Sequence, residues 1–160
     1  MKLIIGLGNP EPKYLKNRHN TGYIFVDEIF KKKLPKDTIV KKTNCFMNDS
    51  GSIVKSLVDK FSIPLNNLYI VHDDLDIPLG EFKIQKGVGP KLHNGLYSIN
   101  KKLGKEDYWR IRIGVDAREI KNRTPGIDYV LMDFSDQEEK ILLETIDKAI
   151  KNLIFLIKNE

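Results

Sequence analysis

The chain has 160 residues, 41% of them hydrophobic and 31% charged, which suits one globular domain with a real core. A single cysteine excludes an internal disulfide or a cysteine-rich zinc site and fits a reducing compartment. Lys and Arg total 27 against 22 Asp and Glu, a formal net charge of +5 that suits a polyanion such as RNA but also an ordinary lysine-rich protein.

The apolar run at residues 1–6 is too short for a signal peptide, and no stretch has the length of a membrane span. The expected location is the cytoplasm. Residues 2–5 read as a short buried strand stopped by Gly6 and Gly8. Phe25, Val26, Ile29 and Phe30 recur at helical spacing over residues 22–30, and the run Lys31, Lys32, Lys33 ends that helix before Pro35. Residues 38–42 suggest a weaker strand. Ile53, Val54, Leu57, Val58 and Phe61 predict a helix from Ser50, with Asp49 or Ser50 as its cap. Residues 68–71 form an apolar β-run, and a polar cluster begins at His72 where that run ends.

Residues 81–86 look like an edge strand, residues 95–103 a helix and residues 108–115 a strong strand. In the last of these, Arg110 and Arg112 alternate with Trp109, Ile111 and Ile113, so both arginines are free to face solvent, while their nearness to other basic residues admits a role at RNA phosphate. Ser135, Asp136, Gln137 and Glu138 make a capping box. It opens a long helix whose apolar face carries Leu142, Ile146, Ala149, Ile150, Leu153 and Ile157. Strands and helices alternate throughout, which predicts an α/β single domain over residues 1–160, a twisted mixed sheet flanked by helices.

All three histidines, His19, His72 and His93, sit in short polar motifs beside expected strands, where sites are usually built. Gly6-Leu7-Gly8-Asn9-Pro10-Glu11 follows a first strand as a dinucleotide fingerprint would. However, Glu11 occupies the third glycine position and Pro10 and Pro12 disturb the helix start, so a nicotinamide or flavin site carries little weight. His72-Asp73-Asp74-Leu75-Asp76 admits three readings: a magnesium site, a solvated loop, or an aspartate that orients a histidine from elsewhere. The last is preferred to metal, because no phosphate-binding loop accompanies the carboxylates. Cys45, beside apolar Phe46, reads better as an inert buried residue than as a nucleophile activated by His19.

Together the motifs GLGNP, residues 14–22 ending in RHNTG, FMNDSG, HDDLDIPLG, HNGL, WRIRIGV and YVLMDFS resemble the bacterial peptidyl-tRNA hydrolase family, in the family's order. The resemblance implies hydrolysis of the ester between a peptide and the 3′-terminal ribose of tRNA. It also implies tRNA as partner, no cofactor, no metal, no membrane and a monomer. Carried over by position, His19 is the general base, Asp73 holds its imidazole, and Asn9 reads the blocked N-terminal amide of the peptide. Asn48 and Asn94 position substrate and water, while Tyr14 and Phe46 line the cleft. Arg112, with Lys83 and Lys86 nearby, is the candidate for tRNA phosphate, the second basic position of the family's phosphate clamp being Gln85 here. The residue types suit this chemistry: an activated ester needs only water and an oriented histidine, and neutral amides stabilise an oxyanion without disturbing that histidine.

Two alternatives stay open at the level of sequence, a catalytically impaired RNA-binding relative and a His–Asp esterase for small substrates. The chain departs from the family pattern in a shortened segment at residues 31–44 and at residues 87–92. There Gly-Val-Gly-Pro-Lys-Leu replaces a glycine-rich loop, which predicts a stiffer loop on a different path, either a gate to the cleft or a tolerated surface variation.

Overall fold

Leu3, Ile4 and Ile5 are consecutive and all fully buried, which requires a strand covered on both faces. A computed structural model describes residues 1–121 and 123–159; Asn122 and Glu160, part of the domain expected over 1–160, lie outside the described residues. The buried triplet belongs to β1 (Lys2–Gly6), which lies between parallel β2 (Thr38–Lys42) and parallel β3 (Leu68–Pro78). On its other side β3 pairs with parallel β5 (Trp109–Asp116), and β4 (Phe82–Lys86) closes that edge antiparallel. The order β2-β1-β3-β5-β4 makes one mixed five-stranded sheet.

Strand periodicity sends alternate residues to opposite layers. Ile4, Tyr69, Val71, Ile111 and Ile113 meet Phe25, Val26 and Ile29 of α1 (Thr21–Ile29) and Leu142, Ile146, Ala149, Ile150 and Leu153 of α5 (Asp136–Asn159). Leu3, Ile5, Leu68 and Ile70 meet Val54 of α2 (Ser50–Lys60) and Leu96 and Ile99 of α3 (Asn94–Leu103) on the other side. The chain thus leaves β1 through α1 toward β2 and returns through α2 to β3 across the opposite face. Such a reversal opens a crevice beyond the carboxyl ends of β1 and β3, where α/β sheets bind ligands. Two glycines bring the walls of the crevice together. A Cβ on Gly6 would lie 2.2 Å from Gly22 O, and one on Gly22 would lie 2.4 Å from Leu7 N. The start of α1 therefore rests directly on the end of β1.

Most expected elements are present within one or two residues. The main correction is β3, expected to end at residue 71. It runs to Pro78 because His72, Asp73 and Asp74 stay in register with Arg112, Ile113 and Gly114 of β5. Backbone pairing, not side-chain polarity, decides where a strand ends. The capping box is confirmed: Ser135 N–H donates to Glu138 Oε1 at 2.9 Å and Glu138 N–H to Ser135 Oγ at 3.2 Å. The expected cap of α2 is not, since Ser50 Oγ turns back to donate to Met47 O at 2.7 Å and Asp49 makes no side-chain cap. A short α4 (Gly126–Tyr129) had no counterpart in the sequence reading. No helix among the described residues is long and apolar enough to cross a membrane.

Candidate active site

Asp73, 2% exposed on the last well-paired stretch of β3, is the centre of the site. It accepts from His19 Nδ1 at 2.9–3.0 Å and from His93 Nε2 at 2.9 Å. His19 lies in a single turn just before α1, fixed by its own N–H to Val130 O at 2.8 Å and by Arg18 N–H to Met132 O at 3.2 Å. The Arg18 side chain holds the same segment, donating to Met132 O, Asp133 O and Glu138 between the rings of Tyr129 and Phe134. His93 is the N-cap of α3, where its Nδ1 accepts from Leu96 N–H at 3.3 Å.

These partners settle the tautomers. An Nδ1 that accepts from Leu96 is bare, so the proton of a neutral His93 is on Nε2, facing Asp73. The Asp73 carboxylate likewise draws the proton of neutral His19 to Nδ1, leaving His19 Nε2 as a bare lone pair. Among the described residues the side-chain hydrogen bonds of His19 both use Nδ1 and none uses Nε2, and His19 lines the cleft. Burial alone would push the Asp73 carboxyl up, but the two imidazoles outweigh it and hold the carboxyl far below the usual range. For His19, burial opposes the charged form, yet the charge of Asp73 and the hydrogen bond to it raise its pKa above 6.5. His72, fully buried 5.1 Å from the His93 ring, donates from Nδ1 to Asp73 O; burial, then His93 and Arg110, bring it down to about 3. It stays neutral.

The cleft has a volume of about 330 Å³. Its lining mixes polar Asn9, His19, Asn48 and Asn94 with Tyr14, Phe46, Met47, Ile127, Val130 and Leu131. Asn9 is buried and oriented: Met47 N–H donates to its Oδ1 at 2.9 Å, so its amide N–H groups are the free ones. Asn20 secures the Asn9 backbone with two 2.9 Å hydrogen bonds, to N–H and to C=O, which locks the GLGNP turn to the His19 turn. A larger, shallower hollow between α2 and α3, lined by Ser52, Lys55, Ser56, Asp59, Lys60 and Lys102, contains no buried reactive group. The chemistry lies in the cleft.

The carboxylates of HDDLD do not converge on a cation. Asp73 is taken by two histidines, Asp74 Oδ2 accepts from Arg112 Nε at 2.7 Å, and Asp76 Oδ2 accepts from Lys91 N–H at 2.8 Å. His19, Asp73 and His93 do bring three potential ligand atoms within 4.8 Å of one another. A metal on His93 Nε2 would force a proton onto Nδ1, against the Leu96 N–H, so this trio suits shared protons better than a metal ion.

The structure brings together every residue expected in the cleft but does not gather the basic trio. Arg110 and Arg112 are 5% and 6% exposed rather than solvent-facing. Arg112 spends Nε on Asp74 and Nη1 on Gln85 Oε1 at 2.7 Å. Lys86 stands opposite Trp109 on the other sheet face, with its Nζ on Asn66 Oδ1 at 2.6 Å, while exposed Lys83 lies opposite Arg112. Gly89 lies against Arg110, and residues 87–92 are not among those that line the cleft, where a gate was one expectation. Cys45 is half-buried with its thiol pushed up by burial, the condition of an unreactive cysteine. The sequence reading missed the second hydrogen bond to Asp73; the clue was a histidine directly before a helix start, a capping position.

Comparison with known proteins agrees with this geometry. The family model described as peptidyl-tRNA hydrolase matches residues 3–36 and 30–160. A peptidyl-tRNA hydrolase of Maridesulfovibrio salexigens is 35% identical, the match covering 94% of this chain and 84% of the relative. One of Aquifex aeolicus is 34% identical over 99% of this chain and 91% of its own. The crystal structure of peptidyl-tRNA hydrolase from Acinetobacter baumannii superposes with a TM-score of 0.82 at 28% identity, covering 99% of this chain and 89% of that one. Sequence, fold and the order of the motifs agree over nearly the whole length, and the chain belongs to the peptidyl-tRNA hydrolase family.

Proposed function

We propose that the chain hydrolyses the ester of peptidyl-tRNA with His19 as general base. The observation that carries this reading is the bare Nε2 of His19 on the cleft wall, behind which Nδ1–H is held by ionised Asp73. In the proposed reaction His19 Nε2 takes a proton from water, whose oxygen attacks the ester carbonyl. Asp73 stabilises the imidazolium that results. The tetrahedral oxyanion accepts hydrogen bonds from asparagine amides that line the cleft, Asn48 and Asn94 being exposed there. Collapse breaks the bond to the ribose oxygen, which recovers the proton from His19. The products are tRNA with a free terminal hydroxyl and a peptide acid.

The free N–H groups of Asn9 suit the carbonyl of a peptide bond, and Tyr14 and Phe46 offer flat apolar surface to the terminal nucleotide and peptide side chains. No step of this scheme requires a metal, and the reading is of a metal-free enzyme acting as a monomer in the cytoplasm. The test is release of a blocked aminoacyl group from tRNA by the purified protein and by His19→Ala. A positioned base contributes about two to four powers of ten, so the variant should be nearly inactive while retaining tRNA binding. Cleavage by His19→Ala near the wild-type rate would refute the assignment.

A further inference from the structure

The most unusual charge in the molecule lies outside the cleft. Arg110 is 5% exposed, and its Nε and Nη2 have neither solvent nor a hydrogen-bond partner. The guanidinium lies 5.0 Å from the Tyr108 ring centre, and the carboxylate paired with it, on the exposed side chain of Glu106, is 3.9 Å away. The neighbouring Arg112 has its own buried counter-charge in Asp74; Arg110 has none. His72 on the adjacent strand is neutral and also has an unpartnered Nε2. A buried cation with idle donors is better served by an anion within hydrogen-bond reach than by Glu106 at 3.9 Å.

Gly89, in the loop of residues 87–92, lies against Arg110. Its backbone rests so closely on the guanidinium that a Cβ on Gly89 would lie 2.2 Å from Nη1. The loop is weakly held. Val88 and Leu92 are 46% and 90% exposed, and among the described residues one hydrogen bond, Lys91 N–H to Asp76 Oδ2, ties residues 88–92 to the rest of the chain. The loop runs directly into His93 and Asn94, and exposed Lys83 lies on the same sheet face as Arg110.

We propose that Arg110 is an occluded phosphate ligand, and that lifting of residues 87–92 lets its Nε and Nη2 donate to a phosphodiester of the tRNA whose 3′ end occupies the cleft. The planar fork of an arginine matches two phosphate oxygens, and the exposed Lys83 and Lys91 draw a polyanion to this edge. The proposal rests on the functional reading above in taking tRNA as the ligand, and it adds a site formed only when the loop moves. Loop opening then sets part of the affinity, because a site that is open for a fraction of the time binds more weakly by that fraction.

The experiment measures binding of deacylated tRNA, on which hydrolysis has no bearing, by fluorescence anisotropy between about 50 and 200 mM salt. Arg110→Gln should flatten the slope of log affinity against log salt by about 0.7–0.9, the share of one phosphate. Asp76→Ala, which cuts the tie of the loop, should tighten binding several-fold by removing the cost of opening. A second readout needs no variant: the Arg110 Nε–H resonance of ¹⁵N-labelled wild-type protein should shift on adding deacylated tRNA, and far less with inorganic phosphate at equal phosphate concentration. An unchanged slope in folded Arg110→Gln, or an Nε–H signal indifferent to saturating tRNA, overturns the proposal. Wild-type protein that fails to bind tRNA at all would instead refute the functional reading on which it rests.

Discussion

Asp73→Asn is the sharpest test of the site, because one substitution disturbs two hydrogen bonds whose directions are known. The carboxylate accepts Nδ1–H of His19 at 2.9 Å and Nε2–H of His93 at 2.9 Å. An asparagine of the same shape has one acceptor oxygen and one NH₂ donor, so it satisfies one histidine and opposes the other. His93 is committed by Leu96 to presenting Nε2–H, so the oxygen goes to His93 and the NH₂ faces His19. His19 must then turn its lone pair to Nδ1 and carry its proton on Nε2, and the base is lost. A positioned base is worth about two to four powers of ten, or about 3–5 kcal/mol of barrier. The assay is the pH profile of kcat/KM on a blocked aminoacyl-tRNA. In the wild type, activity requires neutral His19, whose pKa is raised above 6.5, so the acidic limb lies above pH 6.5. Without the charge of Asp73 only burial acts on the ring, and the limb of any residual activity should move to lower pH. Residual activity within threefold of wild type, with the limb unmoved, would refute the dyad.

Asn9→Ala should narrow the preference for blocked over free aminoacyl-tRNA by roughly tenfold, the effect of about 1–3 kcal/mol for an unpaired peptide carbonyl, read as the ratio of kcat/KM values; an unchanged ratio would leave Asn9 a turn residue. The low carboxyl pKa of Asp73 means that its contribution to stability is complete above pH about 4 and drains away as pH falls through the folded-state value, so the difference in Tm between wild type and Asp73→Asn should shrink below that pH. Glu138→Ala removes both the partner of buried Arg18 and half of the α5 capping box, and should cost about 2 kcal/mol in urea unfolding. Phe25→Ala, in the layer between α1 and the sheet, should cost about 3–5 kcal/mol by the same measurement.

Sequence alone determined the layers. The uninterrupted apolar triplet of β1, the helical spacing of Phe25, Val26 and Ile29, and the six-residue apolar face of α5 each follow from a side chain's local choice between core and water, which neighbours in sequence share. Through the resemblance its motifs carry, the sequence also pointed to Asn9, Tyr14, His19, Phe46, Asn48 and Asn94 of the cleft, but not to Met47, Ile127, Val130 or Leu131. Only the tertiary structure decided who holds whom. Asp73 meets His19 across 54 residues and His93 across 20, and Arg112 meets Asp74 across 38. Those contacts depend on the register of β3 against β5 and on the packing of α1 against β1, which no local pattern encodes. The same register carried β3 through a polar stretch that reads as a loop and turned Arg110 and Arg112 inward. A strand's faces are set by the partner beside it, and the partner is chosen by the whole fold.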